Sequence, residues 1–254
     1  MGSLEGQRAL VVGVANDQSI AWGCAEALAR AGSAIALTYQ GERTEDAVRA
    51  LAAGIGAEIV APLDLGNANQ MAELFREIEA RWGGFETLVH SVAFCPKRDL
   101  HGRVVDCSAA GFAKAMDVSV HSFLRLLHAA EPLMPGGGSC MTVSYYGAEK
   151  VVEHYNVMGP VKAALEAAMR YAAAELGPKG ISVNALSPGP LETRAASGID
   201  HFDDLLNAAS DRAPTHMLAS IEDVGAYCAF LASGAAANVT GGVHHIDGGY
   251  HIVG

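Results

Sequence analysis

The chain has 254 residues, half of them hydrophobic, and its 17 Lys and Arg stand against 28 Asp and Glu for a formal net charge of −11. That length suits one large α/β domain, and that charge makes nucleic acid and anionic membrane surfaces poor partners. Cys24, Cys95, Cys107, Cys140 and Cys228 fall in no Cys-x-x-Cys or Cys/His metal spacing, so they read as reduced, buried thiols of a cytoplasmic protein with no metal site.

The N-terminal stretch carries Glu5 and no long apolar segment, so it reads as the start of a domain, not a signal peptide. No run approaches the roughly 18 apolar residues of a membrane span. Ala9 to Val12 is a short, continuously apolar strand, the pattern of a parallel strand covered on both faces. Gly13 to Gly23 follows, and a helix then runs to about Arg30 with Gly32 as its stop. A Gly-containing loop between strand and helix brings backbone N–H groups and a helix N-terminus to a phosphate. The spacing is not Gly-x-Gly-x-x-Gly, so the loop alone is a weak sign.

Ala34 to Tyr39 is the second strand, and Gln40 stands at its end where an acidic residue would bind a ribose hydroxyl. Residues 43–53 have helical spacing, Glu58 to Leu63 is the third strand, and Asp64 is either an adenine acceptor or a helix cap. Residues 68–81 are helical, and Thr87 to Val92 is the fourth strand. An irregular segment reaches to about Asp106, and one long helix is expected over 109–132. Ser139 to Ser144 is the fifth strand. Ala163 to Leu176 reads as a helix buried almost all round and a candidate subunit interface. Ile181 to Leu186 is the sixth strand, and 187–219 a long polar loop with short helices. Ser220 with Asp223 approaches a capping box for a helix to about Ser233, and Val243 to Ile246 is the last strand.

Seven strands alternating with helices predict a single Rossmann-type, doubly wound α/β domain over 1–254, its parallel sheet flanked by helices. Ligands in such sheets bind beyond the carboxyl ends of the strands, where strand order reverses. Ser144 to Lys162 lies on that rim and carries Tyr145, Tyr146, Tyr155 and Lys162. Tyr can hydrogen-bond an oxyanion and Lys adds positive charge. Read alone, these residues fit packing tyrosines and a solvated lysine equally well.

Gly13-x5-Ser19-Ile20-Ala21, Ser144-Tyr145, Tyr155-x6-Lys162, Ser187-x-Gly189-Pro190, Ala195-Ala196-Ser197-Gly198-Ile199 and Asp247-Gly248-Gly249 decide between those readings. Together they resemble the enoyl-acyl-carrier-protein reductases, a divergent branch of the short-chain dehydrogenase/reductases, from Leu4 to about Ile252. The resemblance implies NADH-dependent reduction of the trans-2 double bond of an enoyl thioester in fatty acid biosynthesis by a homotetramer. It places Gly13, Ala15, Ser19 and Ile20 at the pyrophosphate, Gln40 near the adenosine ribose, and Asp64 and Leu65 at the adenine. Ser91, Val92 and Ala93 would pass under the cofactor, Leu191, Thr193 and Ala195 would reach the nicotinamide amide, and Lys162 would bind the nicotinamide ribose. Tyr155 would face the thioester carbonyl with Tyr145 close by, and Cys95, Met158 and Phe202 would join the substrate site, beside a substrate loop at about 190–219.

The spacing carries a chemical expectation. Tyr-x3-Lys sets Lys one helical turn from Tyr, able to depress its pKa for proton donation to a ketone. Here seven residues separate them, and Pro160 places Tyr155 ahead of the helix. A Tyr that hydrogen-bonds an enolate is therefore expected. Gln40 and the lack of a basic pair after it favour NADH over NADPH. Two departures stand out: Ala93 replaces a usual Gly, and Asp200, Asp203 and Asp204 make acidic a segment that is usually basic. An acidic carrier protein would be repelled there, which leaves open docking on another surface or a specialised reductase of CoA-linked or other thioesters. A carbonyl reductase and a non-catalytic dinucleotide-binding protein are the other readings, disfavoured by Tyr155-x6-Lys162.

Overall fold

The computed structural model describes residues 3–191, 193 and 202–253, apart from the side chains of Phe202 and Asp203. The strands, in chain order, are β1 (Arg8–Val12), β2 (Ala34–Tyr39), β3 (Ile59–Pro62), β4 (Thr87–His90), β5 (Gly138–Val143), β6 (Ile181–Pro188) and β7 (Val243–Ile246). All pair in parallel in the order β3-β2-β1-β4-β5-β6-β7. The helices are α1 (Ile20–Arg30), α2 (Glu42–Gly54), α3 (Ala68–Trp82), α4 (Lys97–Leu100), α5 (Ala109–Met116), α6 (Ser122–Ala130), α7 (Met158–Leu176), α8 (Phe202–Arg212) and α9 (Ile221–Ala232).

Alternation along each strand sends neighbouring residues to opposite cores. Leu10, Val12 and Leu88 join α3, α6 and α7 on one face. Ala9, Val11 and Val89 join α1, α2 and α9 on the other. Both faces are dry, which is why the strands read as unbroken apolar runs. The fold is the expected doubly wound sheet. Strand order reverses between β1 and β4, so Gly13 and Ser91 meet at the crevice where ligands bind in such sheets.

Several elements differ from expectation. The long helix at 109–132 is two helices joined by a π-helical turn, Asp117–His121, and it ends at Ala130. The extra residue in that turn frees Ser119 to bond Phe94 and lets Ser122 reach His90. The irregular segment after β4 contains α4 and a 3-10 turn, Val104–Asp106. α7 begins at Met158, not Ala163. Pro160 sits in its first turn, where a missing N–H costs nothing, so proline did not delay the start. α7 is also not buried all round: Arg170, Tyr171, Ala174 and Glu175 are exposed, because only its i, i+3, i+4 stripe faces the sheet. α8, eleven residues long, is one of the helices expected within the 187–219 loop. The capping box of Ser220 and Asp223 is formed in both directions. No helix of the described residues is long and apolar enough to cross a membrane.

Gly13 holds the two halves of the crevice together. Its φ is +110°, and a Cβ there would lie 2.2 Å from the Ser91 carbonyl oxygen. Gly13→Ala should therefore cost about 2–3 kcal/mol of stability, read as a lower urea midpoint at unchanged slope. An unchanged midpoint would contradict this close approach.

Candidate active site

The loop from Gly13 to Ser19 shapes itself. Ser19 Oγ donates to the Asn16 carbonyl at 2.6 Å and accepts from Ala15 N–H at 3.5 Å, and Gln18 N–H donates to Asn16 Oδ1 at 3.2 Å. Ser19 is thereby used within the loop and does not cap α1. The first N–H groups of α1 stay available, with the positive end of the helix behind them, and that suits a pyrophosphate. Ile20 opens the helix. Around the same crevice, Gln40 is exposed at the end of β2. Asp64 accepts from Gly66 N–H at 2.8 Å through Oδ1. It is not the helix cap, since Asn67 caps α3. Leu65 is buried, and Arg125 clamps its carbonyl at 2.9 Å. Ser91 N–H continues the ladder by donating to Val12 O at 2.9 Å, and Val92 and Ala93 follow at the rim.

The connection from β5 to α7 brings the chemical side chains together. Tyr145 and Tyr155 are both buried, their rings edge to face with centroids 4.8 Å apart. Gly147 makes room for them: a Cβ there would lie 2.5 Å from Tyr155 Cδ1. The Tyr145 hydroxyl is buried with no hydrogen-bond partner, an anomaly for a phenol unless a ligand supplies one. Burial pushes the pKa of Tyr155 well up, and the neighbouring Tyr145 and Glu166 add to that. Tyr145 is raised by burial too, and then by Tyr250, Tyr146 and Asp247. Both phenols therefore keep their protons at neutral pH.

Lys162 is buried in the first turns of α7, and its ammonium donates to the Val143 carbonyl at 2.6 Å. Desolvation lowers its pKa to about 8, against the favourable charge of Glu166. The Lys162 ammonium is thus hydrogen-bonded to a strand carbonyl and not to the Tyr155 hydroxyl. One helical turn along, Glu166 accepts from Ser144 Oγ at 2.5 Å. Burial raises its pKa, opposed first by the Ser144 bond. Glu166 escaped sequence reading, although an acid four residues after Lys162 on an otherwise apolar stripe was the available sign.

His90 was also missed. Ser122 Oγ gives its proton to the Val118 carbonyl at 2.6 Å and so must accept from His90 Nε2 at 2.9 Å. Nδ1 then accepts from Thr142 Oγ1 at 2.9 Å. Burial and the Lys162 charge hold the His90 pKa at about 3, so the ring is a neutral strut. Cys95 and Met158 lie buried in the same core cluster as both tyrosines. Desolvation pushes the Cys95 thiol up to about 11, which makes it inert. Leu191 is buried, and its carbonyl accepts from Thr193 N–H at 2.7 Å. Ala195, Asp200 and the side chains of Phe202 and Asp203 lie outside the described residues; Asp204 is exposed on α8.

Two other features stand apart from this site. His245, Asp247 and His251 bring donor atoms within 4.8 Å of one another. The two rings stack 9° from parallel at 3.7 Å, so their lone pairs run side by side and do not converge on a point. The Asp247 oxygens accept from Gly249 N–H, His251 N–H and His251 Nδ1. That is a hydrogen-bonded pair under a stacked ring, unlike a coordination sphere. A groove of about 670 Å³ between α3 and α6, lined by Met71, Phe75, His121 and Arg125, shares only Leu65 with the candidate cofactor residues.

A family model described as enoyl-(acyl carrier protein) reductase matches residues 13–251. The chain is 47% identical over 253 residues to enoyl-acyl-carrier-protein reductase (NADH) 1 of Rhizobium meliloti, with 100% of this chain and 93% of the relative covered. It is 45% identical over 255 residues to the NADH enzyme of that name from Aquifex aeolicus, with 100% and 94% covered. The crystal structure of the Anaplasma phagocytophilum reductase in complex with NAD superposes with a TM-score of 0.95 at 44% identity, covering 100% of this chain and 97% of that one. The Bacillus cereus reductase with NADP+ and an indole naphthyridinone gives 0.97 at 41%, with both chains fully covered. By sequence and by fold, the chain belongs to the enoyl-(acyl carrier protein) reductase family.

Proposed function

We propose that this chain is an NADH-dependent enoyl-acyl-carrier-protein reductase of fatty acid biosynthesis, saturating the trans-2 double bond of an enoyl thioester. The observation that carries the assignment of roles is that the Lys162 ammonium is hydrogen-bonded to Val143 and not to the Tyr155 hydroxyl. Tyr155 is a buried phenol that keeps its proton, and Lys162 is bonded to Val143. This is a hydrogen-bond donor awaiting an oxyanion, not a Tyr–Lys pair built to protonate a ketone.

NADH, when bound, supplies the hydride that adds to the β carbon. Gly13, Ala15, Ser19 and Ile20 would hold its pyrophosphate, Asp64 and Leu65 would flank the adenine, and Ser91, Val92 and Ala93 would floor the site. Leu191, Thr193 and Ala195 reach the nicotinamide amide. The Lys162 ammonium has three donors, one used on Val143, which leaves two for ribose hydroxyls. As charge gathers on the thioester oxygen, Tyr155 donates to it in a site that Cys95, Tyr145 and Met158 help to keep dry, with Phe202 expected to contact the substrate. A proton then reaches the α carbon. Glu42 in the first turn of α2 sets negative charge beside Gln40, against the exposed Arg43 next to it, and Glu45 and Arg49 pair with each other. With Gln40 and no basic pair after it, nothing but Arg43 stands ready for a 2′-phosphate, which supports NADH over NADPH. The substrate loop is assigned to about 190–219, the acyl group is carried on acyl carrier protein, and the chains assemble as a homotetramer for which the exposed side of α7 offers a face.

Tyr155→Phe should lower kcat on an enoyl thioester by about 10²-fold, the usual loss of one oxyanion donor; full turnover would remove Tyr155 from the mechanism. The charge of Lys162 is present below its pKa of about 8 and lost above it. The pH profile of kcat/KM should therefore fall as pH rises through about 8, and Lys162→Arg, which stays charged, should move that fall to higher pH. The same lowered pKa makes stability rise with pH from about 8 to the unfolded value near 10.5. A profile flat to pH 10 would contradict the assignment. A paired assay completes the tests, with one acyl group presented on CoA and on acyl carrier protein, each with NADH and NADPH. NADH and the carrier substrate should each be favoured by on the order of tenfold. A CoA preference would turn the reading toward a specialised reductase, consistent with the acidic 200–204 segment.

A further inference from the structure

Tyr155 sits between two residues with left-handed backbone, His154 at φ 63° and Asn156 at φ 47°. Among the described residues only one other non-glycine residue, His216, has positive φ. Asn is one of the few side chains that tolerates this region. The turn is otherwise closed by ordinary bonds: Tyr155 N–H donates to Val152 O at 3.2 Å, Met158 N–H to Tyr155 O at 3.1 Å, and Gly159 N–H to Asn156 O at 3.1 Å. The chain thus reverses hand on either side of the tyrosine before α7 begins.

The Asn156 side chain leaves this turn altogether. Its Nδ2 donates to the Leu100 carbonyl at 3.0 Å, across 56 positions of sequence. Leu100 ends α4, in the segment after β4 that also carries Cys95. That segment is a firm support. Phe94 N–H donates to Ser119 Oγ at 3.0 Å, and Ser119 Oγ donates to Phe94 O at 3.2 Å, so both main-chain groups of Phe94 are held by one buried serine. Asp99 is buried and accepts from Ser108 N–H at 2.7 Å. On the far side, the Gly147 backbone stops the Tyr155 ring.

We infer that Asn156 is a positioning residue for Tyr155: its amide, anchored on the Leu100 carbonyl, and its left-handed backbone together set the phenol where the thioester oxygen gains charge. The inference rests on the role proposed for Tyr155. It assigns Asn156 no contact with substrate or cofactor. It also ties the catalytic turn to the loop that lines the substrate site, so the two move as one body.

Asn156→Gly keeps the left-handed backbone and removes the amide. Asn156→Asp keeps the shape, but its carboxylate cannot donate to the Leu100 carbonyl. Both variants are made alone and in a Tyr155→Phe background, with kcat, KM, NADH affinity and melting temperature measured for each. Each single variant should lose about tenfold or more in kcat, since a small misplacement of a reacting group has that effect. NADH affinity should stay within about twofold, and the double variants should be no slower than Tyr155→Phe alone, because Asn156 acts only through the phenol. Full kcat in both single variants, or losses that multiply in the double variants, would overturn the inference. If Asn156→Gly fails to fold, the near-isosteric Asn156→Asp decides by the same two criteria. Full turnover by Tyr155→Phe alone would remove the role of Tyr155 and this inference with it, an outcome read from that single variant and so distinct from failure of the Asn156 link.

Discussion

The end of β5 is tied twice to the beginning of α7. The Val143 carbonyl receives the Lys162 ammonium, and Ser144 gives its hydroxyl proton to Glu166 one turn further on. Consecutive residues of a strand thus meet consecutive turns of a helix, and the ends of the 145–157 connection cannot drift apart. Everything chemical in that connection depends on the tie. Tyr145 and Tyr155 can lean edge to face only because the chain leaves β5 and re-enters α7 at fixed points. The long Tyr155-x6-Lys162 spacing is the covalent consequence: the connection must close a turn, present a phenol, and then deliver Lys162 to a strand carbonyl.

Burial dominates the electrostatics of this site. For Tyr145, Tyr155, Lys162, Glu166 and His90 burial shifts the pKa most, and nearby charges, or for Glu166 the Ser144 hydrogen bond, come second. A site so arranged favours neutral forms: phenols hold their protons, His90 stays uncharged, and Lys162 is poised to lose its charge near pH 8. Such groups are costly to bury without function. For Lys162, Glu166 and His90 the cost is limited by hydrogen bonds to Val143, Ser144, Thr142 and Ser122, whereas the Tyr145 hydroxyl finds none.

Much of this was legible in the chain. β2 runs where the apolar stretch at 34–39 places it, because a parallel strand covered on both faces cannot hide its pattern, and β7, an edge strand with two histidines and only partly buried, still falls at 243–246 as expected. The roles expected of the Gly13–Ser19 loop, Gln40, Asp64 and the Tyr-to-Lys stretch came from the family resemblance, since spacing alone left each of them open. What escaped needs the third dimension. The π-helical turn at 117–121 continues an apolar pattern without a break, yet it aims Ser119 and Ser122 at residues some thirty positions away. Pro160 signalled a late start for α7, but proline is tolerated in a first turn. Glu166 looked like one acid on an Ala-rich helix until Ser144 was placed against it. The Asn156–Leu100 bond joins two loops whose proximity no local pattern encodes.

The central claim is that Tyr155 acts as a neutral hydrogen-bond donor to an enolate, apart from Lys162. A crystal structure of the ternary complex with NAD and an unreactive enoyl thioester tests it most directly. The account predicts the Tyr155 hydroxyl within about 2.6–3.2 Å of the thioester oxygen, with the Lys162 ammonium on Val143 and the nicotinamide ribose. A Lys162 ammonium bonded to the Tyr155 hydroxyl, or a phenol turned away from the thioester, would contradict it.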